Sequence, residues 1–189
     1  MLLVLCEIPA QLFSKVVSFE PHSRIYKILA LNTESSTNIE VVNAGLSDKA
    51  GILRAFEQPL NLGASKIVEN PEGNIDFRVV TLDQYVIENP CNSIDFIKMD
   101  VEGHELSALK GATQTLKNHR PILAIELHAR KNSQEATQIM VFLRQLGYNY
   151  TYYLSIDYFA KNIFNFKKIA IDNVKKLPRK NHKMVLFTP

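Results

Sequence analysis

Residues 96–105 read FIKMDVEGHE, an apolar run that stops at Asp100 and is followed by Glu102, His104 and Glu105 around Gly103. Carboxylates and an imidazole grouped in this way can accept hydrogen bonds from hydroxyls, hold an ammonium group or take a proton from a reacting oxygen. Two other runs also reach an acid: KVVSF reaches Glu20, and PILAI reaches Glu126, with His128 two residues beyond. In an open α/β sheet, ligands bind outside the carboxyl ends of the strands. Glu20, Asp100 and Glu126 are therefore expected to point toward one crevice.

The elements that must position these groups follow from hydrophobic periodicity. Residues 15–20 predict a strand stopped by Pro21, residues 23–32 a helix, and residues 39–46 a further strand. Residues 51–57 and 77–82 predict strands flanking a loop rich in Asn, Gly and Ser, the pattern of an antiparallel insertion. The nearly continuous apolar run before Asp100 suits a strand covered on both faces. Leu106, Leu109, Ala112 and Leu116 fall on one side of a helix over 104–118, with Pro121 as its breaker. Strands are expected at 121–128, 148–154 and 184–189, and a helix at 133–146 with Gly147 past its end. Alternating strands and helices predict one α/β domain over 1–189, its sheet mostly parallel with an antiparallel edge.

Composition narrows the function classes. With 189 residues, 46% hydrophobic and 22% charged, the chain can bury a full core, and a net charge of +3 is too small and dispersed for nucleic-acid binding. The basic stretch 175–183 (KKLPRKNHK) reads as a solvated loop before the last strand. Cys6 and Cys91 match no metal or redox spacing and fit the reduced thiols of a cytoplasmic protein. The opening MLLVLCEIPA has no positive leading region and meets Glu7 and Pro9 too soon for a signal core or a membrane span. No metal-ligand spacing is matched closely, so no metal is expected.

The segment FIKMDVEGHELSALKGAT, followed by PILAIELH, resembles the signature of the FkbM family of methyltransferases, and VVSFEPHSRIYKILALN, IEVVNAGLSDKAG, NLGAS and VVTLDQY resemble family segments in the same order. The resemblance covers residues 16–128 and implies a Rossmann-like class I methyltransferase sheet, S-adenosylmethionine as cofactor, and O-methylation of a sugar or secondary-metabolite hydroxyl. By this resemblance Glu20 binds the cofactor ribose, Asn43, Ala44 and Leu46 lie beside the adenine, and Asp100 sits near the methionine end. Asp100 or His104 would then be the base, Glu126 would orient the acceptor, and Glu102, Glu105 and His128 would line the substrate. The partner is a small-molecule or glycan acceptor.

Other readings of these residues are structural. Glu102 and Glu105 are expected in the first turn of a helix, where exposed amide groups favour acids. Gly103 is expected to supply a positive φ, Lys98 to pair or snorkel, and Tyr148, Tyr150 and Tyr152 to share one face of a strand. One departure bears on the cofactor: the resembling family has a strand ending in Asp-x-Gly-x-x-x-Gly about 20 residues before its ribose-binding acid, and nothing of the kind precedes Glu20. The fold is thus expected to be truncated at its amino end, with its first strand missing. Either the start is assigned too late, or the chain is a true truncation, or MLLVL fills the vacancy. Two function classes follow: a methyltransferase, or a non-catalytic remnant that does not bind the cofactor.

Overall fold

In the computed structural model, the described residues are 13–57, 65–67, 73–127, 133–157, 163–170 and 184–189. The chain forms two compact units, Met1–Asn92 with Asp100–Thr115, and Ser93–Met99 with Leu116–Pro189. The opening MLLVL, Cys6, His128 and the basic stretch 175–183 lie outside the described residues.

In the first unit, β1 (Val16–Phe19) pairs in parallel with β2 (Ile39–Val42). Between them runs α1 (Ser23–Asn32), with the bounds its sequence predicts. His22 caps it by accepting the Arg24 N–H on Nδ1, and the Thr33 hydroxyl closes it on the Leu29 carbonyl at 2.8 Å. The predicted strand 39–46 is two strands. Asn43 turns out of the ladder to donate its amide to the Glu20 carbonyl at 2.9 Å, and β3 (Gly45–Leu46) pairs in parallel with β6 (Ile75–Val80). β4 (Gly51–Phe56) runs antiparallel to β6 and to β5 (Lys66–Ile67), which gives the expected antiparallel insertion.

Two helical features differ from expectation. A helix α2 (Leu82–Glu88) begins where the strand over 77–82 was expected to finish, because the Thr81 hydroxyl accepts the Gln84 N–H at 3.1 Å. The spacing of Thr81 and Gln84 is that of a capping box and was the available signal. The single helix expected over 104–118 is instead α3 (Glu105–Lys110) and α4 (Thr113–His119). Gly111 makes the corner. A Cβ there would lie 1.9 Å from the Ser47 carbonyl oxygen, so only glycine admits this approach. Asp83 braces the same corner: its N–H donates to the Gly111 carbonyl, and its carboxylate accepts the N–H groups of Gln114 and Thr115 at 3.0 and 2.8 Å.

The second unit is built on a sheet of β7 (Phe96–Met99), β8 (Ile122–Glu126), β9 (Tyr150–Asp157), β10 (Ile163–Ala170) and β11 (Met184–Thr188), in the order β10-β9-β11-β8-β7. β7 and β8 are parallel and the other pairs antiparallel, so the antiparallel edge is present, with β10 an additional strand beyond those expected. Ile97 and Met99 of β7, Leu123 and Ile125 of β8, and Val185 and Phe187 of β11 are buried, as is Leu143 of α5 (Ser133–Gln145). Tyr148 precedes β9 and is fully buried. Its hydroxyl donates to the Pro121 carbonyl at 2.9 Å, and burial pushes the phenol up to about 12. Tyr150 is exposed and lies with Tyr152 beneath the Lys168 ammonium, so those two share one face as expected, whereas Tyr148 stands apart from them before the strand. Among the described residues, no helix is long and apolar enough to cross a membrane.

Candidate functional site

At the carboxyl end of β1, Glu20 is 8% exposed, and its Oε1 accepts the His22 N–H at 2.8 Å. Burial pushes this carboxyl above the usual carboxylate range, opposed by the His22 amide and ring. His22 itself is 1% exposed and fully engaged. Because Nδ1 accepts the Arg24 N–H at 3.2 Å, Nε2 carries the ring proton and donates it to Glu57 Oε1 at 2.8 Å. The Arg24 guanidinium stands 3.8 Å from the same oxygen. Proline at position 21 and the Asn43 amide on the Glu20 and Pro21 carbonyls fix the turn that carries the acid. Ala44 and Leu46, expected beside adenine, are 0% and 2% exposed.

At the carboxyl end of β7 the chain bends sharply. Asp100 is half-buried, and Glu102 and Gly103 follow with φ of 53° and 95°. The positive φ expected at Gly103 is present. Glu102 has no such dispensation, and a left-handed L-residue costs about 1–2 kcal/mol. It lies in this turn before the helix, not in the first helical turn where it was expected. Glu105 is in that first turn but faces inward. It is 2% exposed, with Oε1 3.3 Å from the Val101 nitrogen and 3.2 Å from the Gly103 nitrogen, so the loop folds around its carboxylate. His104 stands at the N-cap of α3 without capping it, and its Nε2 lies 2.9 Å from the Ser47 hydroxyl.

The first unit thus holds Glu20, Asn43, Ala44, Leu46, Asp100, Glu102, His104 and Glu105. Glu126, the last residue of β8, belongs to the second unit and is 6% exposed. Ser47, His22 and Glu57 were not expected to matter. Ser47 and Asp48 are visible in GLSDKAG as a hydroxyl beside an acid, but nothing local announces a partner 57 residues away.

An α/β chain with mixed sheets and acids at strand ends has the architecture in which ligands bind outside the carboxyl ends of the strands. Residues 13–150 match the model of the methyltransferase FkbM domain, and the chain belongs to that family. It is 26% identical over 128 residues to the hexuronic acid methyltransferase AglP of Haloferax volcanii, a match covering 67% of this chain and 53% of that protein. The chain therefore spans about half the length of this curated relative. A crystal structure of an FkbM methyltransferase from Methylobacillus flagellatus has the same fold with a TM-score of 0.54 at 18% identity, covering 93% of this chain and 36% of that one.

Proposed function

We propose that the chain is the core of an S-adenosylmethionine-dependent O-methyltransferase whose acceptor is a sugar or a secondary metabolite. The observation that supports it most is Glu20, a buried carboxylate at the end of a parallel strand with one oxygen fixed by the His22 amide. Such a group suits a ribose diol, because the bond to His22 orients the carboxylate and its burial favours a partner that donates hydrogen bonds. When bound, S-adenosylmethionine supplies an electrophilic methyl group on a sulfonium.

The remaining chemistry belongs to this chain. Asn43, Ala44 and Leu46 shape the wall beside the base, and Asp100 serves the amino-acid end of the cofactor. A sugar hydroxyl is a poor nucleophile until its proton is withdrawn, and His104 is positioned in a strained loop to take that proton, with Asp100 as the other candidate base. Glu102 and His128 complete the expected substrate set, whereas Glu105, buried and bound to the Val101 and Gly103 amides, serves the loop instead, and Glu126 is the corresponding carboxylate of the second unit. The name of the relative from Haloferax volcanii points to an acidic sugar, which offers both hydroxyls and a carboxylate. A carboxylate acceptor carries no proton to remove, so methylation of that oxygen would proceed at a rate independent of His104.

Calorimetric titration of S-adenosylmethionine into the 189-residue chain tests this reading. Saturable binding that is lost in Glu20→Ala is the expected result. A folded chain that binds nothing returns the alternative, a non-catalytic remnant of such a methyltransferase.

A further inference from the structure

His22 is 1% exposed and is engaged on three sides. Its backbone N–H donates to Glu20 Oε1 at 2.8 Å, its Nδ1 accepts the Arg24 N–H at 3.2 Å, and its Nε2 lies 2.8 Å from Glu57 Oε1. One residue thus ties together the end of β1, the start of α1 and the end of β4. The three bonds depend on one another. A ring nitrogen accepts the Arg24 N–H only while it carries no proton, so the neutral ring keeps its proton on Nε2. At this burial an Nε2–H without an acceptor is costly, and the Glu57 carboxylate is the acceptor.

Glu57 is itself held in place. Its backbone N–H donates to Asn74 Oδ1 at 2.7 Å, and the Asn74 N–H donates to the Ala55 carbonyl at 2.9 Å, which locks the end of β4 to the residue before β6. The Arg24 guanidinium, 3.8 Å from the same Oε1, draws the carboxylate toward α1. Phe77 of β6 is 3% exposed and meets the His22 ring edge to face, with centroids 6.0 Å apart. The antiparallel insertion, to which the proposed function assigns no ligand contact, therefore forms the support behind the Glu20 turn.

We propose that Glu57 is a positioning residue for the cofactor ribose: by fixing the tautomer and direction of the His22 ring, it keeps the His22 amide on Glu20 and the Glu20 carboxylate aligned with the diol. This rests on the methyltransferase reading given above. Glu57 acts through His22 and not on the ligand. Without its carboxylate, the ring turns to find another acceptor or moves its proton to Nδ1, and either change gives up the Arg24 N–H. The cap of α1 then opens, and the His22 amide is no longer fixed on Glu20.

Two measurements on the uniformly labelled full chain test this. The first reads the brace without any ligand. Long-range 1H–15N correlation, with His22→Asn assigning the ring signals, should show a protonated Nε2 and an unprotonated Nδ1 in the wild type. In Glu57→Ala the Arg24 amide should exchange with solvent about tenfold faster while the amides of β8 are unchanged. Glu57→Gln, whose amide oxygen still accepts the Nε2 proton, should match the wild type. A protonated Nδ1 in the wild type, or unaltered Arg24 exchange in Glu57→Ala, overturns the proposal.

The second measurement separates positioning from general support of the fold. Calorimetry would compare S-adenosylmethionine with its 2′,3′-dideoxyribose analogue. Glu57→Ala should weaken binding of the first about tenfold and of the second less than about twofold, because only the first offers the hydroxyls that Glu20 receives. Glu57→Gln should restore the difference. Equal losses for the two ligands overturn the proposal. Failure of the wild-type chain to bind S-adenosylmethionine refutes only the methyltransferase reading, and the exchange data still decide the brace.

Discussion

The carboxyl ends of β1 and β7 use the same two residue types in exchanged capacities. Each strand runs into a glutamate and a histidine at the entrance to a helix. After β1, histidine is the brace: His22 is buried, caps α1 with one nitrogen and binds Glu57 with the other, while Glu20 is the group proposed to meet a ligand. After β7, glutamate is the brace: Glu105 is buried and gathers the Val101 and Gly103 amides, while His104 leaves its helix uncapped and turns to Ser47. Residue type therefore does not identify the reactive group in either loop. The members that the proposed function assigns to ligands are Glu20 and His104, and the other member of each pair closes its turn.

The comparison breaks most readily at His104. His104→Ala removes the proposed base but no helix cap, so methyl transfer to a hydroxyl should fall by about two to four orders of magnitude, with a loss of stability of only about 1 kcal/mol from the vacated Ser47 contact. A large drop in melting temperature would place His104 with the braces. Glu105→Ala should behave in the opposite sense: the Val101 and Gly103 amides lose their acceptor and a cavity opens, for a loss on the order of 3 kcal/mol in a urea unfolding titration. His22→Ala should cost about 2 kcal/mol by the same titration, through the lost cap of α1 and the unpaired Glu57. If Glu105→Ala unfolds no more easily than the native chain, the clamp has no energetic weight.

Smaller effects sharpen the contrast. Glu102→Gly relieves a left-handed residue and should stabilise the chain by up to about 1 kcal/mol in thermal unfolding, while any substrate contact made by its carboxylate is lost. The pH dependence of stability should single out Glu20. Folding raises its pKa above the ordinary 4.5, so the folded chain holds that proton more tightly. Its stabilising contribution is present below the ordinary value and lost as pH rises through the raised one. Glu20→Gln should remove that loss, flattening the decline of melting temperature above about pH 4.5, and an unaltered profile would show that burial does not tax this carboxylate.

Much of this arrangement is legible locally. The period of Ser23–Asn32 marks a helix to the residue, and the apolar run ending in Asp100 marks β7. Gly103 marks a left-handed position. Local reasoning fails where a contact spans the chain. It reads residues 104–118 as one helix because Leu106, Leu109, Ala112 and Leu116 keep helical spacing across Gly111, and nothing nearby shows that the Ser47 carbonyl occupies the space a Cβ would need. It reads Glu105 as a surface acid of a first helical turn because the inward bend at Glu102 is set by the amides gathered on that carboxylate.

The sequence by itself determined the alternation of strands and helices, the acids at strand ends and the membership of the FkbM family, since periodicity, turn chemistry and a long motif are properties of neighbouring residues. Only the tertiary structure decided which acid and which histidine are braces. Those assignments depend on Ser47 meeting His104 across 57 residues and Glu57 meeting His22 across 35, and hydrogen bonds of that reach leave no trace in local spacing.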